Sequence, residues 1–194
     1  RTKTWIARIS SKTLTKTAPN RFKAFWSSKQ LRHGPALRTE YPRSMSNPEK
    51  MSDAEVHTAI TDTILNYAEY VDGGEIELWA ELFCQDAVFD EGQAVTGRPA
   101  IQALLPKLLR LFTATAHHVS NIRIERTASN HAKATSYVHA WHRKLDGSDF
   151  EFWGRYVDVL AFEDDAWRFS SRKVEQFGAR GLEIAVDQVP RRQP

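Results

Sequence analysis

Cysteine is almost missing from this sequence. Cys84 stands alone among 194 residues, which excludes an internal disulfide and any zinc or iron–sulfur site built from several thiolates. Also missing is an uninterrupted apolar run of about 18 residues, the length a membrane-crossing helix requires. Acid is nearly absent from the first part of the chain. Residues 1–44 hold 11 Lys and Arg against a single acidic residue, Glu40, whereas residues 45–194 hold 16 basic and 23 acidic residues. The net charge of +3 therefore averages two unlike segments. A basic face interleaved with aromatics would point to nucleic acid, but here the excess charge lies in a Ser/Thr-rich segment without apolar periodicity, so neither a nucleic-acid nor a membrane partner is expected.

That segment is expected to be a disordered extension. It reads as sequence upstream of a start at Met45, with an organelle transit peptide or a functional basic arm as alternatives. The location expected for the domain is cytoplasmic, or mitochondrial if residues 1–44 are a transit peptide. Residues 45–180 are assigned to one domain and 181–194 to a C-terminal tail.

From Asp53 the pattern changes. Val56, Ile60, Ile64, Tyr67 and Val71 recur every three or four residues, the apolar stripe of a helix of about five turns, with Asp53 as the expected cap. Gly73-Gly74 ends it. "EIELWAELFCQDAVF" predicts a short helix with Ile76, Trp79, Leu82 and Phe83 inward, then an extended stretch. Cys84 falls near the apolar stripe and reads as a small buried hydrophobe. "TGRPAIQALLPKLLRLF" predicts a third helix bent by Pro106.

Everything after that reads as strand: "HHVSNIRIERT", "HAKATSYVHAWHRK", "FEFWGRYVDVLAFE" and "AWRFSSRKVEQ", divided by Ser129-Asn130, Asp146-Gly147 and Asp164-Asp165. Three helices before four long strands, without βαβ alternation, give an α+β fold with a curved, mainly antiparallel sheet and helices on one side. Ala132, Ala134, Ser136, Val138 and Ala140 are small enough for the crowded concave face. Tyr137, His139, Trp141, Trp153 and Val157 fall on the outer face, which should be covered by a second subunit in a dimer or trimer.

The pair His117-His118 raises the question of chemistry. Adjacent strand residues point to opposite faces, which groups His118 with Ser120, Ile122 and Ile124, and His117 with Val119 and Asn121, unless a bulge intervenes. The same parity argues against a metal site, because His139 and His142 also point apart and no HxH or ExxH unit supplies two ligands on one face. Asp72 is the second unusual residue. A carboxylate in the last turn of a helix meets the negative end of the macrodipole at a cost of ~0.3–1 kcal/mol. It is either a solvated Asp-Gly turn or a carboxylate aimed at a histidine, whose tautomer it would fix.

The segments "LNYAEYVDGGEIELWAELFCQDAVFD", "GRPAIQALL", "HHVSNIRIE", "SYVHAWH" and "GRYVDVLAFEDDAWRFSSRKV" resemble the SnoaL-like branch of the NTF2-like (cystatin-like) superfamily, over about residues 53–176. Within it they look most like the group holding bile acid 7α-dehydratase, hexachlorocyclohexane dehydrochlorinase and relatives of scytalone dehydratase, lyases that use a His-Asp pair and no cofactor. The resemblance implies a cone-shaped domain in which His117 and Asp72 are the pair, Tyr67 matches the tyrosine five residues before the Asp, and Arg172 matches an arginine of the last strand.

The expected activity is elimination or isomerisation of a small, largely apolar molecule, with no cofactor and no metal. Phe89, Val138, Phe152 and Tyr156 are the expected pocket walls. The rival expectation is a non-catalytic ligand-binding module, or the small subunit of a ring-hydroxylating dioxygenase that works through its outer sheet face.

Overall fold

The computed structural model describes residues 47–181 and 186–189; the expected basic extension over residues 1–44 lies outside the described residues. Helix α1 spans Asp53–Gly73, and its cap is Ser52 rather than Asp53. The Ser52 side chain accepts from the Glu55 backbone N–H while the Glu55 carboxylate accepts from the Ser52 N–H, a capping box. Asp53 instead meets Arg126 at 3.0 Å. All five stripe residues, Val56, Ile60, Ile64, Tyr67 and Val71, are buried as the spacing predicts. At the other end Gly74 takes the left-handed conformation, φ 69°, and returns its N–H to the last carbonyls of the helix.

Helix α2 is shorter than expected, Ile76–Glu81. Phe83 already opens strand β1, Phe83–Asp90, because Phe83, Cys84, Ala87 and Phe89 find buried places along the sheet. Strand β2, Ala94–Thr96, folds back on β1 as an antiparallel hairpin. The third predicted helix is two: α3, Arg98–Gln102, and α4, Leu105–Leu109, with Pro106 inside the first turn of the second. A proline N has no hydrogen to donate, so the helix restarts where that donor is not needed.

Four long strands follow: β3 Phe112–Ala128, β4 His131–Lys144, β5 Asp149–Glu163 and β6 Ala166–Arg180. They form antiparallel neighbours in the order β3-β4-β5-β6, and β1 then joins β6 in parallel, so the sheet is mixed. The helices pack on its concave face, with α1 lying over β3 and β6, and the whole is a cone-like α+β domain. The small residues of β4 face the core, fully buried at Ala132 and Ser136.

Two expectations differ from the structure. The domain does not stop at 180. Strand β7, Asp187–Gln188, adds to β6 in parallel, and Val186 is buried beside it, so part of the expected C-terminal tail belongs to the core. The second is the face assignment on β3. Asn121 takes φ 51° at a bulge between Ser120 and Arg123, which shifts the register against β4. The parity reverses there, so His117 and Val119 before the bulge and Ile122 and Ile124 after it all face the core side.

Candidate functional site

Asp72 and His117 meet at the junction of α1 and β3. The His117 Nδ1–H donates to Asp72 Oδ1 at 2.6 Å, the backbone N–H of His117 donates to Asp72 Oδ2 at 2.8 Å, and the Thr115 hydroxyl donates to Oδ1 at 2.7 Å. Because an ionised carboxylate only accepts, the contact assigns the proton to Nδ1. The other ring nitrogen, Nε2, has no hydrogen-bond partner among the described residues.

The position of Asp72 explains its presence at an unfavourable helix end. Gly74 ends α1 at that point, β3 runs alongside, and three donors surround the carboxylate. Burial pushes the Asp72 pKa up, but the His117 ring, its charge, its backbone N–H and the Thr115 hydroxyl together outweigh that and hold the carboxyl below the usual range. The side chain of His117 is 10% exposed and that of Asp72 27%, so the pair is shielded yet reachable. His118 points outward and is exposed, its ring centroid 6.2 Å from that of His139.

His117 and Thr115 open onto a cavity of about 80 Å³, a size that suits a compact molecule. Its apolar walls come from Val71, Leu105, Leu108, Leu109 and Phe112 and from Phe150, Phe152, Val174 and Val186, with Phe112 stacked on Phe150 at 6.2 Å. Tyr67 and Tyr156 line it, both with ring hydroxyls that have no hydrogen-bond partner among the described residues. Burial raises the pKa of both tyrosines, so both hydroxyls keep their protons at neutral pH and can donate. Phe152 reaches the cavity by lying over Gly154, where even a methyl group would collide with the Phe152 ring at 2.5 Å.

Of the expected pocket walls, Phe152 and Tyr156 line the cavity; Phe89 and Val138 do not. Phe89 is packed among Tyr67, Trp79 and Phe83 at ring distances of 5.8–6.4 Å, and Val138 is buried in the core. Arg172 also stands off the cavity. It is fully buried, holds both oxygens of Asp158 at 2.8 Å, and sits 4.1 Å from the Tyr67 ring, 4.2 Å from Tyr156 and 3.9 Å from Phe169. A guanidinium so placed packs against the rings of two pocket tyrosines and is not itself part of the cavity lining. Removing either partner of this pair would strand the other charge, a cost of about 3–5 kcal/mol.

Two polar groups of the cavity, His142 and Glu91, were not expected from the sequence. His142 lines the cavity with its ring centroid 5.3 Å from that of His117, between Phe112 and Phe150. Burial, reinforced by the charge of His117, lowers its pKa to about 4, so it is neutral at pH 7. The signal was present in the parity: His142 shares a face with Val138 and Ala140. Glu91 follows Phe89 on the same parity at the end of β1. Among the described residues, no group of three or more His, Cys, Asp or Glu side chains could hold a metal ion.

The SnoaL-like domain model matches residues 52–173. The chain belongs to the SnoaL-like family. No curated protein sequence matches this SnoaL-like protein, but solved structures do. A protein provisionally named a scytalone dehydratase, from Novosphingobium aromaticivorans, is 27% identical with a TM-score of 0.68, over 71% of this chain and 95% of that one. A protein provisionally named an aromatic ring hydroxylase, from the same organism, is 22% identical with a TM-score of 0.64, over 68% and 96%. A hexachlorocyclohexane dehydrochlorinase is 19% identical with a TM-score of 0.62, over 70% and 93%. The last two likenesses establish the fold alone.

Proposed function

We propose that this SnoaL-like protein is a lyase or isomerase of the dehydratase type, acting on a compact, largely apolar ketone with its own side chains as acid and base. The observation that carries the reading is the 2.6 Å contact between His117 Nδ1 and Asp72. It leaves Nε2 as a free base, and Asp72 stabilises the imidazolium that forms when Nε2 takes a proton from carbon. Tyr67 donates a hydrogen bond to the developing enolate oxygen, and its hydroxyl costs no rearrangement because the ring is held by Arg172. His142, neutral beside His117, adds no competing positive charge. The provisional name of the 27% identical neighbour, scytalone dehydratase, agrees with this chemistry.

The test is dehydration of 3-hydroxycyclohexanone and its simple cyclic homologues to the conjugated enone, followed by ultraviolet absorbance. His117→Ala should lower the rate by about 10²–10⁴-fold with little change in melting temperature. Equal rates in the variant and the parent would remove His117 from the mechanism. A protein that binds these ketones and converts none of them is a ligand-binding member of the family.

A further inference from the structure

Among the described residues Glu91 is the one carboxylate on the cavity lining, Asp72 being held behind His117, and the reaction outlined above leaves Glu91 unused. It lies where β1 leaves β6, just past the Asp90–Lys173 pairing, while β7 takes over the same edge from the Glu175–Asp187 pairing onward. Val174 and Val186, both buried, stand beside it on the cavity wall. The alternation Ala87, Phe89, Glu91 carries the buried face of β1 into the cavity. In sheet order β1 is four strands from β3, so Glu91 approaches from the edge away from His117. No described residue forms a hydrogen bond or ion pair with its carboxyl.

We propose that Glu91 is the acid partner of the His117 base: it carries a proton into the cavity, donates it to the leaving hydroxyl of the substrate, and so selects neutral β-hydroxy ketones over anionic ligands. The inference rests on the elimination reading of the site. The carbon proton goes to His117 Nε2, the C–O bond breaks, and the hydroxyl takes the Glu91 proton and departs as water. His117 then returns its proton to Glu91 through water, which restores the starting state. A carboxylic acid is suited to this because an oxygen leaving group needs a proton at the moment of bond cleavage.

The surroundings favour a protonated Glu91. Burial, with the charge of Asp90 added, raises its pKa to about 7. Tyr67 from α1 and Tyr156 from β5 are near enough to feel its charge, and on the neighbouring β6 Lys173 is paired with Asp187 and Glu175 and Arg172 with Asp158. His117, backed by Asp72, and His142 are the remaining titratable groups at the cavity among the described residues. Neither Lys173 nor Arg172 forms an ion pair with Glu91.

Two measurements on the full chain decide the matter without requiring turnover. In the ligand-free protein, the carboxyl carbon-13 resonance of Glu91, assigned by its loss in Glu91→Gln, should titrate with a midpoint near 7. Affinity for 3-hydroxy-2,2-dimethylcyclohexanone, a neutral β-hydroxy ketone with no C2 hydrogen to lose, should weaken by about 3–10-fold as pH rises from 6 to 8.5, the effect of losing one hydrogen-bond donor to its hydroxyl. Glu91→Gln should bind the ketone without that pH dependence, and His117→Ala should keep it, so failure of the base and failure of the acid are separable. An ordinary carboxylate midpoint, a pH-independent wild-type affinity, or no binding of the ketone at any pH overturns the proposal.

Discussion

The Thr115 hydroxyl and the His117 ring share one oxygen of Asp72, at 2.7 and 2.6 Å, while the other oxygen takes the His117 backbone N–H. Thr115 and His117 are alternate residues of one strand, so a single carboxylate fixes both the backbone and the ring of the histidine. The ring therefore cannot turn without breaking a charge-assisted bond.

Asp72→Asn follows from that arrangement. The amide offers one acceptor where three donors converge, and its NH₂ faces Nδ1 with the wrong polarity. The expected loss is on the order of 10²–10⁴-fold in kcat for the dehydration assay, with Thr115→Val losing far less. The stability effect has a defined sign. The carboxyl is held below its unfolded value of 3.8, so its contribution is present above that pH and is lost as the solution is acidified through the folded-state value. Acid titration of wild-type and Asp72→Asn by circular dichroism should differ in that low-pH window.

His142 gives a second pH dependence in a different window. Its folded-state value of about 4 lies below the 6.5 of the unfolded chain, so the unfolded chain takes up a proton first as pH falls. Stability should be full above pH 6.5 and decline towards pH 4, at no more than about 1.4 kcal/mol per pH unit. His142→Phe, which places a ring between Phe112 and Phe150, should flatten that decline. The comparison is melting temperature at pH 7.5 and at about pH 4.5; an undiminished drop in the variant would clear His142 of responsibility.

Much of this was legible in the sequence, and the failures have local causes. The period of α1 and the parity of β4 and β5 follow from which side chains must leave water, so Tyr67, Phe152 and Tyr156 came out on the cavity side. Face assignment failed on β3 because a bulge at Asn121 has no side-chain signature; only the paradox of His117 and Ile122 on opposite parities hinted at it. Phe89 and Val138 faced inward as expected, but inward is not the same as lining a cavity. Arg172 was expected at the site because the resemblance implied it; Asp158, two strand positions beyond Tyr156 on the same buried face, is its partner instead. His142 and Glu91 were readable from parity alone.

The outer sheet face carries a third expectation. Tyr137 and Phe177 are 44% and 45% exposed with ring centroids 5.1 Å apart, and His139 stacks on Trp153 beside them. Apolar rings gathered in one patch, rimmed by Glu151, Arg155 and Glu175, fit a self-association surface. Light scattering at micromolar concentration should give the mass of a dimer or trimer, reduced by a Tyr137→Glu/Phe177→Glu double variant. A monodisperse wild-type monomer would count against it.

The central claim is that Asp72 fixes His117 as a base with its free nitrogen in the cavity. Nitrogen-15 NMR of the histidine side chains, with His117 identified by its loss in His117→Ala, reads this directly at neutral pH and needs no substrate. The account predicts a proton on Nδ1 of His117, an unprotonated Nε2, and a downfield Nδ1–H resonance that disappears in Asp72→Asn. A His117 ring protonated on Nε2 alone, or one whose resonances do not respond to Asp72→Asn, would contradict it.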